Sequence, residues 1–320
     1  MPNLMIIMSM LAFIGCAHSQ MDQAQLVKQH DFALESLGDG IYVHHGVHTD
    51  IDEGYHGDIC NASFIIGSKG VAVIDTGGSL KVGQQLHDAI RKVTSLPVLY
   101  VINTHVHPDH IYGNAAFLTG EPNELKPQFI GHDKLADAME LRREQYAKLN
   151  ARLLGEDAIG SELVKPNVAV KLTADLTLDL GDRKLIVKAH PIAHTNTDVS
   201  VIESKASTLF AGDLLFIERT PVLEGDIKGL IAEIEILKSS PAKQVVPGHG
   251  PVTKNWVEAL NNAQHYLTVL LADIRASIKK GETMESTMNT AAASEKDKWL
   301  LFDIANRRNV NTIYPALEWE

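Results

Sequence analysis

Apolar residues along this chain recur in two rhythms, and the alternation between them predicts the elements. Short β-branched runs come first: "IYVHHGV" from Ile41, "ASFIIG" from Ala62 and "GVAVIDTG" from Gly70 read as strands. Gly67 to Gly70 make a hairpin turn between the second and third. Residues 80–93 then place Leu86, Ile90 and Val93 on one helical face. "PVLYVINT" and "QFIGHD" read as further strands. Asp133 is expected to cap the long helix after it, which carries Leu135, Ala138, Met139, Leu149 and Leu153 at helical spacing. The second half repeats the style. "LTLDLGDRKLIVKA" reads as a hairpin around Gly181, and "DVSVIES" with "STLFAGD" as a second pair turning near Lys205. "DIKGLIAEIEILKS" is a predicted helix and "KQVVPGHG" a strand running into a glycine-rich loop. A long amphipathic helix follows over about 255–279, with Trp256, Leu260, Ala263, Leu267, Leu270, Ile274 and Ile278 on one face. From Gly281 the pattern is mixed and predicts no element. Without a proline-rich linker between the halves, the pattern predicts one α/β domain over 20–280, two sheets sandwiched between helix layers. Residues 281–320 are expected to be an extension packing on that domain.

Composition narrows the function classes. The chain has 320 residues, 45% hydrophobic and 22% charged, with a formal net charge of −11. That charge offers no basic excess to displace counterions, so no nucleic acid is expected as a partner. Residues 1–21 contain no Asp, Glu, Lys or Arg, and the apolar run from Leu4 to Ala17 is too short for a comfortable membrane span. It suits a signal segment over 1–19, although the usual cationic n-region is missing. Two processing routes fit: cleavage after Ser19, or a lipoprotein-like site at "FIGC" with Cys16 as a lipid anchor. Either places the protein in the periplasm or outside the cell. Cys60 would then be the only other cysteine, so no disulfide framework is expected.

The chemistry gathers in "VINTHVHPDHIYGN", residues 101–114. His105, His107, Asp109 and His110 fall within six residues at the end of an apolar strand. His-x-His followed by Asp-His can serve two metal ions from one loop, with Pro108 stiffening the turn. Imidazole suits zinc, and a carboxylate adds a harder oxygen donor. Further donors stand in similar settings: His194 after "LIVKA", Asp213 at the end of "STLFAGD" and His249 in "VVPGHG".

With its "HVHPDH" string and these later residues, the chain resembles the metallo-β-lactamase-fold superfamily over about residues 40–270. The resemblance implies an αββα sandwich of two mixed sheets and a dinuclear centre, with zinc expected and iron or manganese as alternatives. It implies that His105, His107 and His194 hold one ion, that Asp109, His110 and His249 hold the other, and that Asp213 bridges them. Aspartate at 213 is similar to the glyoxalase II-like and lactonase-like branch. His107, in place of Glu, argues against the di-iron flavoprotein branch. "GDICNASFIIGSKGVAVIDTGGS", "HPDHIYGNAAF", "AHTNTD", "FAGDLLFIERTP" and "VVPGHGP" together resemble exported zinc hydrolases associated with bacterial quinoprotein relay systems. The implied chemistry is attack by a metal-bridging hydroxide on the carbonyl of a small ester, thioester, lactone or lactam, with Asp109 orienting the nucleophile. Competing readings are a mononuclear iron persulfide-dioxygenase-like enzyme, an antibiotic-degrading lactamase and a non-catalytic periplasmic redox accessory module.

Other positions carry weaker signals. Asp75 in "VIDTG" either braces the metal loop or caps the turn at Gly77. His132 either touches substrate or sits on the surface. Tyr55 and His56 lie in a segment expected to form a flap over the metals, and Asn196 stands where it could bond a substrate oxygen. His44, His45 and His48 are expected to be exposed. Glu218 and Arg219 either line the pocket or form a loop ion pair. Oligomeric state and substrate identity have no signature in the sequence.

Overall fold

A computed structural model of the chain describes residues 32–51, 56–118 and 126–320. The first sheet runs in chain order: β1 (Glu35–Gly38), β2 (Ile41–His44), β3 (Ala62–Ile66), β4 (Val71–Ile74), β5 (Val98–Ile102), β6 (Gln128–His132) and β7 (Val168–Val170). Pairing is antiparallel up to β4 and parallel from β4 to β7. The second sheet has the order β12-β11-β10-β9-β8, built from β8 (Leu176–Asp179), β9 (Lys184–Ala189), β10 (Val199–Glu203), β11 (Thr208–Phe216) and β12 (Gln244–His249). Only the β11–β12 pair is parallel there, so both sheets are mixed.

The period of two along each strand divides the core. In β4, Ala72 and Ile74 face the second sheet, while Val71 and Val73 face away from it. In β11, Phe210 points between the sheets and Leu209 and Ala211 point outward. Because both faces of these strands are covered, they read as nearly continuous apolar runs. Helix α1 (Leu80–Val93) covers the outer face of the first sheet with Leu86 and Ile90. Ser79 starts it by accepting a bond from Val82 N at 3.2 Å. Gly83 lets this helix approach the metal-loop segment, since a Cβ there would lie 2.2 Å from Gly113 O. Helices α4 (Ile227–Leu237) and α5 (Trp256–Lys280) cover the outer face of the second sheet. The αββα sandwich expected from the sequence is the fold the chain adopts.

Several local expectations need correction. Asp133 does not cap α3 (Leu135–Leu154): Lys134 holds the cap position without a side-chain bond. The Asp133 carboxylate lies instead 2.9 Å from His132 Nδ1. Leu149 and Leu153 are only half-buried, and α3 buries Tyr146, Asn150 and Leu154 in their place. The patternless tail contains α6 (Met284–Thr290) and α7 (Phe302–Leu317), whose Phe302, Val310, Ile313 and Tyr314 join α5 in the core. Its period was hard to read because the segment is broken into short pieces and carries Pro315 inside α7.

Candidate metal centre

Strand β5 ends at Ile102 and delivers the histidine loop directly. His107 is extended (φ −65°, ψ 146°), and Pro108 opens the single-turn helix α2 (Pro108–Ile111), which carries Asp109 and His110. The loop is fastened by an amide pair. Asn103 Nδ2 donates to Asn114 Oδ1 at 3.0 Å, and Asn114 Nδ2 donates back to Asn103 Oδ1 at 2.7 Å. Val106, Ile111 and Tyr112 anchor it to Leu135 and Met139 of α3. Asp75 adopts the left-handed region (φ 56°), uncommon for a residue other than glycine. Its carboxylate accepts from Thr104 N at 2.8 Å, Thr104 Oγ1 at 2.7 Å and His110 Nδ1 at 2.8 Å. Of the two roles read for Asp75, the geometry gives the brace.

The second sheet contributes one donor at a time. His194 lies in the loop after β9, and its Nδ1 is 2.7 Å from Val222 O. Asp213 does not end its strand as expected. Strand β11 continues to Phe216, and its register against β12 breaks on either side of Gly212 (φ 52°), immediately before Asp213. His249 ends β12, with Nδ1 2.7 Å from Ile59 O. Gly248 leaves room for the carboxylate: a Cβ there would lie 1.9 Å from Asp213 Oδ1.

These residues converge in two adjoining groups, His105 with His107, His194 and Asp213, and Asp109 with His110 and His249. Within each group the donor atoms lie within 4.8 Å of one another. Asp213 reaches both: Oδ2 is 3.2 Å from His194 Nε2 and 3.4 Å from His249 Nε2, and Oδ1 is 3.4 Å from His110 Nε2. Asp109 Oδ2 stands 3.4 Å from both His110 Nε2 and His249 Nε2.

The tautomer of every histidine follows from its outer partner. A carbonyl can only accept, so His194 and His249 carry their proton on Nδ1 and present a bare Nε2 inward. His110 Nδ1 donates to Asp75. Thr104 gives its hydroxyl proton to Asp75 and so accepts from His105 Nδ1, 3.0 Å away. His107 is reversed: Nε2 donates to Glu224 Oε2 at 2.8 Å, leaving Nδ1 inward, 3.0 Å from both His105 Nε2 and His194 Nε2. Neutral imidazoles so oriented aim lone pairs at lone pairs. In addition, His110 Nε2 and Asp213 Oδ1 are buried with no hydrogen-bond partner among the described residues. A donor set of this kind is satisfied by cations, so the residues fit metal ions.

The buried acids and imidazoles shift one another strongly: burial would lower His110, but Asp213, Asp109 and Asp75 outweigh it and raise the group well above its usual range. Burial alone would push the Asp213 carboxyl up, but His249, His110, His105 and His194 outweigh it and hold the group well below the usual carboxylate range. Asp109 is lowered in the same way: burial opposes the shift, and His110 and His249 drive it. Burial lowers His194 to about 4, so it is neutral and able to coordinate at neutral pH. His107 rises instead, because the Glu224 bond outweighs the burial that would lower it. Cys60 is no nucleophile here: burial pushes its thiol well up, and Sγ donates to Asp109 O at 2.9 Å.

The remaining candidates are scattered. His132 neither touches the centre nor lies on the surface; it is buried, with Nδ1 accepting from Lys134 N at 3.1 Å. His44 is not exposed either. It is buried, stacked on Phe32, and lies 2.8 Å from Asp58 Oδ1. His45 lies 2.6 Å from Glu35 and His48 3.7 Å from Glu218. His56 is exposed, 3.6 Å from Asp157. Tyr55 lies outside the described residues. Asn196 Oδ1 is buried without a partner among them. Glu218 forms no pair with Arg219; Arg219 is buried with Nη1 3.4 Å from His249 Nδ1.

Sequence reasoning passed over Thr104, Glu224, Asn61 and Asn309. Asn61 Nδ2 donates to Pro247 O and Gly250 O at 2.9 and 2.7 Å, holding the loop that carries His249. Asn309 on α7 donates to Pro221 O at 2.7 Å and accepts from Leu223 N at 2.9 Å. It thereby fixes the segment whose Val222 and Glu224 orient two of the histidines. None of these four has a spacing that marks it; Glu224, Asn61 and Asn309 act across long stretches of chain, and Thr104 joins neighbouring His105 to distant Asp75. A cavity of about 530 Å³ reaches the centre at His107, between this segment and helices α6 and α7.

Comparison with known proteins places this geometry. A family model described as the metallo-beta-lactamase superfamily matches residues 56–249. Among solved structures, a metallo-beta-lactamase from Pontibacter korlensis aligns with a TM-score of 0.56 and 22% identity, covering 74% of this chain and 98% of that one. The stereoselective inverting sec-alkylsulfatase Pisa1 from Pseudomonas sp. aligns with a TM-score of 0.66 and 15% identity, covering 89% of this chain but 50% of that one. At these identities the likeness is one of fold. A linear primary-alkylsulfatase from Pseudomonas sp. is 36% identical over 53 residues, 17% of this chain and only 10% of that enzyme.

Proposed function

The chain belongs to the metallo-beta-lactamase superfamily, and from that premise we propose that it is a dinuclear zinc hydrolase acting on the carbonyl of a small ester, thioester, lactone or lactam. The observation that carries this reading is the set of five histidines whose outer partners turn one ring nitrogen each toward two adjoining carboxylates. His105, His107, His194 and Asp213 would hold one ion, and Asp109, His110 and His249 the other, with Asp213 in reach of both. Zinc bound there would supply Lewis acidity and bring the pKa of water toward neutrality. The protein's own contribution is orientation. Asp109, held ionised beside His110 and His249, is placed to accept a proton from the attacking water. Burial of His105, His110, His194 and His249 keeps bulk solvent away, while half-buried His107 leaves the approach to the carbonyl open.

Metal counting on protein purified without added zinc, run beside a hydrolysis panel, tests the proposal. Two zinc equivalents and turnover of an acyl substrate are expected. One iron per chain with no hydrolysis would overturn it in favour of an oxygenase-like enzyme. The match to a primary-alkylsulfatase favours one second reading, hydrolysis of a sulfate ester, so an alkyl sulfate belongs in the panel. We further propose that residues 1–19 direct export, on the strength of their uncharged apolar run, and that the protein serves a periplasmic quinoprotein or sulfur-oxidation system. Mass spectrometry of the mature N-terminus should find Gln20 or an acylated Cys16; an intact Met1 would sink the export proposal.

A further inference from the structure

The cavity that opens on His107 has one wall from the segment carrying Glu224 and another from the C-terminal helices. Its volume of about 530 Å³ lies within the usual range for small-molecule sites. The charges on its walls are mostly cancelled. Glu224 is bonded to His107 and to Arg142. Arg308 is paired through both nitrogens with Asp50, at 2.6 and 2.8 Å. Arg307 is different. Its one side-chain partner among the described residues is the neutral amide of Asn289, bonded to Nη1 at 2.7 Å. An arginine with no carboxylate partner among the described residues, lining the cavity of a chain with net charge −11, leaves the fork of its guanidinium open to an anion. Met288 and Ile304 line the same cavity and offer apolar surface to a short carbon chain.

We propose that Arg307 binds a carboxylate at the non-reacting end of the substrate, so that the enzyme selects small acyl esters or thioesters bearing a second, free carboxylate. This rests on the hydrolase reading above, because the carboxylate is what orients the scissile carbonyl toward His107. The carbon chain lies along Met288 and Ile304, and the reacting group lies at the metal end of the cavity.

The test uses the full chain loaded with zinc and two esters matched in length, para-nitrophenyl pentanoate and the mono-para-nitrophenyl ester of glutaric acid. The charged ester should show at least about tenfold higher kcat/KM, as expected for a charge-assisted contact. Arg307→Gln should reduce that ratio by about tenfold, chiefly through KM, and Arg307→Lys should restore part of it. Lys92→Gln, which removes an exposed charge outside the cavity, should leave the ratio where it was. Calorimetric binding of glutarate to chelator-treated protein gives a readout independent of turnover, and should weaken about tenfold in Arg307→Gln. A wild-type ratio near one, or an Arg307→Gln protein with native circular dichroism and an unaltered ratio, would overturn the assignment. If neither ester is hydrolysed, the hydrolase reading fails for these acyl groups, and glutarate binding still decides for or against Arg307.

Discussion

The two sides of the metal centre are built by different means. On the first-sheet side, four donors arrive in one loop, and side chains orient the rings: Asp75 for His110, Thr104 for His105 and Glu224 for His107. On the second-sheet side, three donors arrive separately, and main-chain carbonyls orient the rings: Val222 for His194 and Ile59 for His249. The difference determines where each side is vulnerable. Side-chain braces can be deleted one at a time. Carbonyl braces cannot, because every residue has one, so the weak points there are the places where backbone must come close. Gly248, against Asp213, is one of these at the metal centre.

The comparison breaks first where the sides meet. Asp213→Ala removes the one carboxylate among the described residues in reach of both groups. Hydrolysis should fall by about 10³-fold or more, since several kcal/mol of charge stabilisation go with the metal site, and metal analysis should find at least one equivalent lost. If Asp213→Ala keeps two equivalents, the carboxylate does not join the groups.

Gly248→Ala tests the backbone-braced side alone. The new methyl group clashes with Asp213 Oδ1, and a displacement of about 1 Å at a reacting site costs on the order of 10²-fold in kcat/KM. The methyl group would also lie 2.8 Å from Gly212 C and 2.9 Å from Asp213 N of the paired strand β11, so the melting temperature should fall together with activity. A large loss of melting temperature with normal activity in the remaining folded protein would show that Gly248 serves the fold and not the site.

Asp75→Asn tests the side-chain-braced half. The amide offers at most one acceptor where three donors converge. Metal affinity should weaken by roughly 10- to 100-fold, measured by competition with a chelator. An affinity unchanged from wild type would mean that the amide pair of Asn103 and Asn114 holds the loop unaided.

The smallest effect is expected where the C-terminal helix ties the segment of Asp50 to the domain. Arg308→Ala removes an ion pair whose arginine is 45% exposed. Such pairs contribute about 0–1 kcal/mol, so denaturant midpoints should scarcely move. A loss of several kcal/mol would make this tie part of the core and not a surface contact.

The sequence was most legible where function is packed into neighbouring residues. Short β-branched apolar runs located β3, β4, β5, β9 and β12, and the polar positions at their ends are the donors that the structure gathers. Asp213, which the structure brings beside the other donor positions, does not end its strand as expected, because a bulge at Gly212 leaves no local pattern. The fates of His44 and His132 were not legible at all. Both look like polar residues at strand ends, and each is buried by contacts made elsewhere in the fold.

By itself, then, the chain determined most strands of both sheets, the buried face of α5 and the residue types gathered at the strand ends, since each is written within a few residues of local pattern. Only the tertiary structure decided which nitrogen each histidine turns inward, that Ile59 and Val222 lend their carbonyls, and that Arg307 on the last helix stands over the cavity beside His107. The reason is physical. A backbone carbonyl is the same at every residue and carries no sequence signal, so its partner is chosen only when distant segments are packed together.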